Sequence, residues 1–294
     1  MYDVNQLAAL ASVIRFGSFD AAAQALNVTP SAISQRIRAL EEHVGTPLVR
    51  RSAPCVATPI GARLARHFDD LRLLQTALDA DLGQPTQPAP VRLALNADSL
   101  ATWALPALAQ VPAHLFDITI DDQDHSADWL KRGEVAAAIT SDPGPVLGCD
   151  STPLGLLRYR ATASPGFVQQ HFAQGLTVTA LRSAPSLCFN AKDSLQSRWA
   201  RLVTGDALVL PHHTVGSSTA FVQAAQLGMG WGMNPEQLIA PLIASGDLVD
   251  LAPDAPLDVP LYWQVSRLLG KPLAPLTVAI VTMARATLLP FHLS

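Results

Sequence analysis

Gly17-Ser-Phe-Asp-Ala-Ala-Ala-Gln-Ala-Leu-Asn-Val-Thr-Pro-Ser-Ala-Ile-Ser-Gln-Arg-Ile-Arg-Ala-Leu-Glu41 reads as two short helices joined by a tight turn. Ala21, Ala22, Ala25 and Leu26 give the first helix a compact apolar face, and the turn falls at Asn27-Val28. Thr29 stands where an N-cap is wanted, and Pro30 takes the first helical position, where its missing N–H costs nothing. Ile33, Ile37 and Leu40 then recur at i, i+4 and i+7 and mark the buried side of the second helix. Ser31, Ser34, Gln35 and Arg38 are left facing outward, with Arg36 on the flank. Gln bonds adenine and Arg bonds guanine in bidentate fashion, while Ser suits a base or a phosphate, so this face suits a DNA groove. An ordinary amphipathic hairpin would share the apolar pattern, and the neighbouring sequence has to decide.

Upstream, Leu7, Leu10, Ala11 and Ile14 predict an amphipathic helix over about 4–15 that completes a three-helix core. Downstream, Val44-Gly45-Thr46-Pro47 stops the helix, and Leu48-Val49-Arg50-Arg51 with a return near Val56-Ala57 reads as a two-stranded wing. Arg50 and Arg51 would then lie against the phosphate backbone beside the groove. Thr58-Pro59 opens another helix, expected to run to about Leu82. Within it Leu64, Phe68, Leu71, Leu78 and Leu82 form a heptad seam interrupted only by Gln75, and a seam of this kind is expected to meet its twin in a homodimer.

The chain has 294 residues, 49% of them hydrophobic and 15% charged, enough for two or three domains with cores of their own. Its net charge of −4 divides unevenly. Residues 1–68 carry seven Arg against four acids, whereas residues 91–150 carry nine acids against three bases. A basic head and an acidic body point to different ligands. No apolar run is long enough to span a bilayer and no secretory signal opens the chain, so a cytoplasmic protein without membrane association is expected. Cys55, Cys149 and Cys188 form no CxxC pair and read as idle thiols.

Gly83-Gln-Pro-Thr-Gln-Pro-Ala-Pro90 breaks the helical pattern, and beyond it strands alternate with helices. Strands are predicted at 91–95, 118–120, 135–140, 187–189, 214–215, 230–233 and 261–265. Helices are predicted at 99–110, 127–132, 194–203, 218–227 and 276–286. Two α/β lobes joined by crossing strands near Tyr159–Ala161 and Tyr262–Ser266 would enclose a cleft for a small ligand. The expected division is a head over 1–58, a dimerisation helix over 59–83, a proline-rich hinge over 84–90 and a ligand-binding body over 91–294. Within the body, lobe I takes about 91–160 and 265–294, and lobe II about 161–264.

On the Ala-rich first helix, Arg38-Ala-Leu-Glu-Glu42, Gly45-Thr-Pro-Leu48, Thr58-Pro-Ile-Gly61 and the two lobes that follow, the chain resembles the LysR-type transcriptional regulators over essentially its whole length. The resemblance implies an α/β chain with a winged helix-turn-helix N-terminal domain, a linker-helix dimer and a two-lobed, periplasmic-binding-protein-like (type II) effector domain. It also implies assembly into homotetramers on double-stranded promoter DNA, with RNA polymerase as a further partner. Asn96-Ala-Asp-Ser-Leu-Ala-Thr-Trp103 and Asp122-Gln-Asp-His-Ser126 resemble the lysine- and arginine-responsive subgroup, the ArgP, LysG or IciA type, which controls a basic-amino-acid exporter gene. The wing departs from the family pattern in its small, proline-bearing tip, Arg50-Arg-Ser-Ala-Pro54.

A basic amino acid presents a carboxylate, an ammonium and a distant cation. Asn96, Asp98 and Ser99 lie where the first strand gives way to a helix, suited to the carboxylate through backbone N–H groups and the Ser99 hydroxyl. Asp98 either caps that helix or meets the ammonium. Asp121, Asp122 and Asp124, followed by His125, come directly after the second strand, where carboxylates would receive a cation, although a solvated acidic loop reads the same way. Thr140 and Ser141 after the next strand, and Asn190, Asp193, Ser217 and Ser218 from the second lobe, complete the expected effector site.

An enzyme with an appended DNA-binding head is the rival from another class. The chain carries no Walker loop, GxSxG, HExxH or metal-ligand spacing, and Gly228-Met-Gly-Trp-Gly232 lacks the dinucleotide spacing. His212 and His213 are adjacent in a strand and would point to opposite faces. The expectation is therefore no catalytic residue, no metal and no cofactor. A structural chromosomal protein would need bulk basicity, which the charge excludes. Another small metabolite remains the alternative effector.

Overall fold

The computed structural model describes residues 1–121 and 126–291. Its head is three helices: α1 (Val4–Phe16), α2 (Phe19–Ala25) and α3 (Pro30–Val44). Asp3, Ser18 and Thr29 cap them in turn, each side chain accepting from an N–H of the first turn. Asn27 holds the turn between α2 and α3 at φ +52°, in the left-handed region that Asn enters more readily than most residues. Leu7, Leu10, Ala22, Ile33, Ile37 and Leu40 are buried together as the periodicity predicts, joined by Val13, while the expected Ile14 is only half-buried. The wing is a ladder of β1 (Val49–Arg50) with β2 (Val56–Ala57). Glu41 fixes it to α3, its Oε1 accepting from Leu48 N at 2.8 Å.

Helix α4 (Pro59–Asp81) starts against that wing. A Cβ at Gly61 would run into the Leu48 carbonyl, so only glycine lets the helix pass the wing this closely. The seam read as a dimer contact divides along this helix. Leu64, Phe68 and Leu71 pack into the head's own core, Leu73 is buried in the body's core, and Leu78 and Leu82 are exposed. A 3.5-residue repeat marks one face of a helix but not what covers it, and here the nearest cover is the same chain.

Asp69, also on α4, joins the three parts. Its Oδ1 receives Arg15 Nη2 of α1 at 3.0 Å and its Oδ2 receives Arg92 Nη1 of the body at 2.6 Å. Burial pushes the Asp69 carboxyl above its ordinary value, against the pull of Arg92 and Arg15.

The body is built on one sheet in the order β10-β6-β11-β5-β3-β4, with β9 also paired to β6. In chain order these strands are β3 (Ala89–Leu95), β4 (His114–Ile120), β5 (Ala137–Thr140), β6 (Cys149–Ala163), β9 (Gly232–Pro235), β10 (Val249–Asp250) and β11 (Leu257–Ser266). A separate pair, β7 (Ser186–Cys188) with β8 (His212–Thr214), runs parallel. Strands β4 and β5 flank β3 in parallel, and β11 returns antiparallel to both β5 and β6. After β3, α5 (Ala97–Ser99) passes through a π turn at Leu100–Ala104 into α6 (Leu105–Leu108). The remaining helices are α7 (Ser126–Lys131), α8 (Pro165–His171), α9 (Val178–Ser183), α10 (Leu195–Thr204), α11 (Ser218–Gln226), α12 (Glu236–Ser245) and α13 (Ala274–Thr287).

Three expectations shift. Strand β3 begins at Ala89, inside the expected hinge, because Ala89 and Pro90 pair with His114 and Leu115. Helices α8, α9 and α12 have no counterpart among the predicted elements, and α12 carries Pro241 inside it, a residue that reads as a helix break. The second crossing lies at the start of β11, ahead of the expected return to lobe I at about 265. Tyr262–Val265 are already held by β5, whereas Leu257 pairs with Tyr159 at the junction. Arg158 and Asp258 clamp that junction with two hydrogen bonds of 2.8 Å. A bulge between Leu261 and Tyr262 places Gly155 at φ +144°, where a Cβ would meet the Leu289 carbonyl at 2.7 Å. No helix among the described residues is long and apolar enough to cross a membrane.

Asp69→Ala is expected to lower the unfolding free energy by about 3 kcal/mol, because it strands Arg92 without its counter-charge. Arg15→Ala, on the half-exposed side of the same carboxylate, should cost about 1 kcal/mol or less. Urea denaturation of the two variants measures the difference.

Candidate DNA-reading face and effector cleft

Burial of Ile33, Ile37 and Leu40 turns the opposite side of α3 outward. Ser31, Gln35 and Arg38 are exposed there, and Ser34 and Arg36 are half-buried at its edges. Ser31 Oγ lies 2.9 Å from the Thr29 hydroxyl, so the cap and the face share a hydrogen bond. Arg38 pairs with Glu42 at 2.9 Å in the open, a contact weak enough to be exchanged for a phosphate. Arg50 and Arg51 are exposed on the wing, and the Arg51 guanidinium lies 5.3 Å from the Phe19 ring centroid. All seven residues expected to meet DNA thus lie on the recognition helix or the wing beside it.

A cleft between the lobes is walled by Asn96, Asp98 and Asp121 from lobe I. Phe189, Asp193, Ser218, Phe221 and Asn234 are among the residues that wall it from lobe II. Asn96 is the residue before α5, and its side chain makes no capping bond. Its Nδ2 and Oδ1 are both buried without a hydrogen-bond partner, and Asn234 Oδ1 is in the same condition. These three atoms belong to residues that line the same cleft and have hydrogen-bonding capacity to spare.

The carboxylates are held differently. Asp98 accepts from Tyr159 Oη at 2.8 Å and from Ser218 Oγ at 2.7 Å, one donor from the crossing strand and one from lobe II. It does not cap its helix. Asp121 accepts from Trp129 Nε1 and from Lys192 Nζ, both at 2.9 Å, and Lys192 comes from lobe II. Asp193 is occupied by backbone, receiving Phe189 N at 2.8 Å and Leu195 N at 3.0 Å. Wall and floor together form an acidic, amide-lined slot suited to a small molecule that carries an ammonium and a carboxylate.

Residues 4–62 match the family described as the bacterial regulatory helix-turn-helix protein, lysR family, and residues 87–287 match the LysR substrate binding domain. The chain belongs to the LysR family of transcriptional regulators. The regulator is 45% identical over 268 residues, 90% of this chain and 88% of the relative, to the HTH-type transcriptional regulator LysG of Mycobacterium tuberculosis. Among solved structures it is similar to ArgP from M. tuberculosis, with a TM-score of 0.80 at 43% identity over 97% of this chain and 98% of the other. It also resembles full-length LysG from Corynebacterium glutamicum with bound effector Arg, with a TM-score of 0.67 at 36% identity over 98% of this chain and all of the other. The regulator is thus a DNA-binding transcriptional regulator of the ArgP and LysG type. Its relatives are named as regulators, which sets the enzyme reading aside.

Of the residues expected in the regulator's effector site, Asn96, Asp98, Asp193 and Ser218 line the cleft. Ser99 is buried, and its hydroxyl does not reach the wall. Thr140 is also buried, its Oγ1 accepting from Gln264 Nε2 at 3.1 Å, because that glutamine ties down the loop after β5. Ser141 and Asn190 lie off the wall, and Asn190 Oδ1 instead accepts from Lys192 N. Ser217 caps α11 through Ala220 N and is exposed. Asp122, Asp124 and His125 lie outside the described residues.

Sequence reading missed Asn234, Tyr159 and Lys192. Asn234 is a polar residue inside the strand ending the Gly228–Gly232 run, and only that anomaly could have flagged it. Cys149 and Cys188 have thiols pushed up by burial, Cys188 to about 11, which keeps both protonated and unreactive near neutrality. His212 and His213 are exposed, and no cluster of three or more metal-ligating side chains occurs among the described residues.

Asn96→Ala is expected to leave the ligand-free melting temperature nearly unchanged despite the burial of the side chain, since no hydrogen bond is lost. Asn234→Ala removes the 2.9 Å bond to Thr162 Oγ1 and should cost about 1–2 kcal/mol. Thermal denaturation of both variants without ligand checks the contrast.

Proposed function

We propose that this regulator senses lysine or arginine in the cytoplasm and controls transcription of an amino-acid exporter gene. The observation that carries the reading is the cleft itself: Asp98 and Asp121 stand in its lobe I wall with the unpartnered amide of Asn96, and lobe II adds the unpartnered Oδ1 of Asn234. Carboxylates in a half-buried slot select cations, and charge-assisted hydrogen bonds make the selection strong. Asp98 receives the α-ammonium and Asp121 the distal cation. Asn96 Nδ2 donates to the α-carboxylate, while Asn96 Oδ1 and Asn234 Oδ1 accept from the ligand's N–H groups. Asp122, Asp124 and His125 join this site on their place in the sequence. A relative 36% identical, with arginine bound as its effector, supports the same class of ligand.

At the other end, Ser31, Ser34, Gln35 and Arg38 read base edges, while Arg36, Arg50 and Arg51 hold phosphates. The exposed Leu78 and Leu82 at the end of α4 supply the contact with a twin helix, and dimers pair into homotetramers across spaced half-sites. Effector binding changes the spacing of the heads, and RNA polymerase reads the result at the promoter.

A thermal-shift screen of the twenty amino acids should show stabilisation by lysine and arginine and none by glutamate or leucine. Stabilisation by another metabolite alone would replace the effector. Ser34→Ala and Gln35→Ala should each reduce discrimination between operator and scrambled DNA by about 1–3 kcal/mol in competition binding. Equal losses on both DNAs would reassign these residues to the phosphate backbone.

A further inference from the structure

Asp121 already holds a primary ammonium. Lys192 Nζ sits on its Oδ1 at 2.9 Å, while Trp129 Nε1 donates to Oδ2. The lysine side chain is 48% exposed and the carboxylate only 16%, so the cation can swing into water while the anion stays in the wall. Lys192 is also presented by a fixed turn. Its own N–H is held by Asn190 Oδ1 at 2.7 Å, and Asp193 clamps the turn from both sides through Phe189 N and Leu195 N. Asn190 and Asp193, read from sequence as ligand contacts, thus hold the turn that carries this ammonium to lobe I.

A carboxylate removed from water needs a counter-cation in every state of the protein. The geometry points to Lys192 as the internal occupant of the cation subsite, an ammonium that a basic effector must displace from Asp121. This rests on the effector reading above and adds a specificity determinant to it. A ligand with a distal cation exchanges one ammonium or guanidinium for another and keeps Asp121 paired. A neutral analogue of equal length leaves the Lys192–Asp121 pair closed across the cleft, so it gains nothing at that subsite. Lys192 therefore lowers affinity for basic amino acids and leaves the affinity for neutral ones unchanged.

Calorimetry on the full chain with L-lysine, L-arginine and L-norleucine (lysine without its side-chain amine) tests this in wild type, Lys192→Met and Lys192→Arg. Lys192→Met should bind lysine and arginine about three- to ten-fold more tightly than wild type and norleucine unchanged. Lys192→Arg, which keeps the cation, should behave as wild type. Binding of the basic amino acids by Lys192→Met where wild type shows none would also support the displacement. Equal affinities in wild type and Lys192→Met, or a parallel loss for all three ligands, would overturn the internal-occupant role while leaving the effector reading in place. The parallel loss would make Lys192 a lobe clamp. Failure of every variant to bind lysine or arginine would remove the effector reading, and this inference with it. A ligand-free melting curve for Lys192→Met that matches wild type shows that the change acts on binding and not on folding.

Discussion

Strand β6 has to satisfy its backbone hydrogen bonds in two lobes at once. Its stretch from Cys149 to Tyr159 pairs with β11 beside the parallel strands of lobe I, and its last residues pair with β9 and β10 in lobe II. Tyr159 sits at the changeover, paired with Leu257 on one side and Pro235 on the other. A buried peptide group without a partner is costly, so the chain cannot leave this register without losing both ladders. The cleft is what remains open beside that shared strand. Residues that follow β3 and β4 line it from lobe I, and Met233–Pro235 of β9, paired to β6, line it from lobe II.

From this follows the electrostatic character of the site. Asp98 and Asp121 sit at the ends of β3 and β4, where strands stop and side chains turn to the crevice between lobes. Half-buried carboxylates need donors, and each recruits one from the opposite lobe: Ser218 for Asp98 and Lys192 for Asp121. The same bonds that satisfy the charges also tie the lobes together. Both polar atoms of Asn96 and the Oδ1 of Asn234 are left out of that scheme, open to new hydrogen bonds without the loss of existing ones.

Helix α4 is packed into both the head and the body. Its first half belongs to the head's core through Leu64 and Phe68, and Leu73 belongs to the body's core. Between them Asp69 holds Arg15 on one oxygen and Arg92 on the other. Arg92 is in β3, the strand that ends at Asn96, and Arg15 is in α1, which packs under the recognition helix. One buried carboxylate therefore lies on a short, well-packed route from the cleft to the DNA-reading face.

Much of this was legible in the sequence, and for definite reasons. Caps at Thr29 and Thr58, the Ile33-Ile37-Leu40 stripe and the alternation beyond residue 90 are local signals, set by hydrogen bonds and periodicities within a few residues. They determined the head, the wing, the linker helix and the two-lobed body, and with them the family. Asn96, Asp98, Asp193 and Ser218 were found because strand-to-helix junctions face clefts in such sheets. Tertiary structure alone decided the rest. Nothing near Asp69 predicts partners 54 residues before it and 23 after it. Nothing near Leu64 says that its cover is its own head, and nothing near Thr140 says that Gln264 has claimed it. Lys192 and Asp121 stand 71 residues apart and meet only because two crossing strands hold the lobes face to face. Local sequence specifies which groups are offered. Which of them meet, and which remain unpaired for a ligand, depends on contacts between distant segments that only the closed fold brings into range.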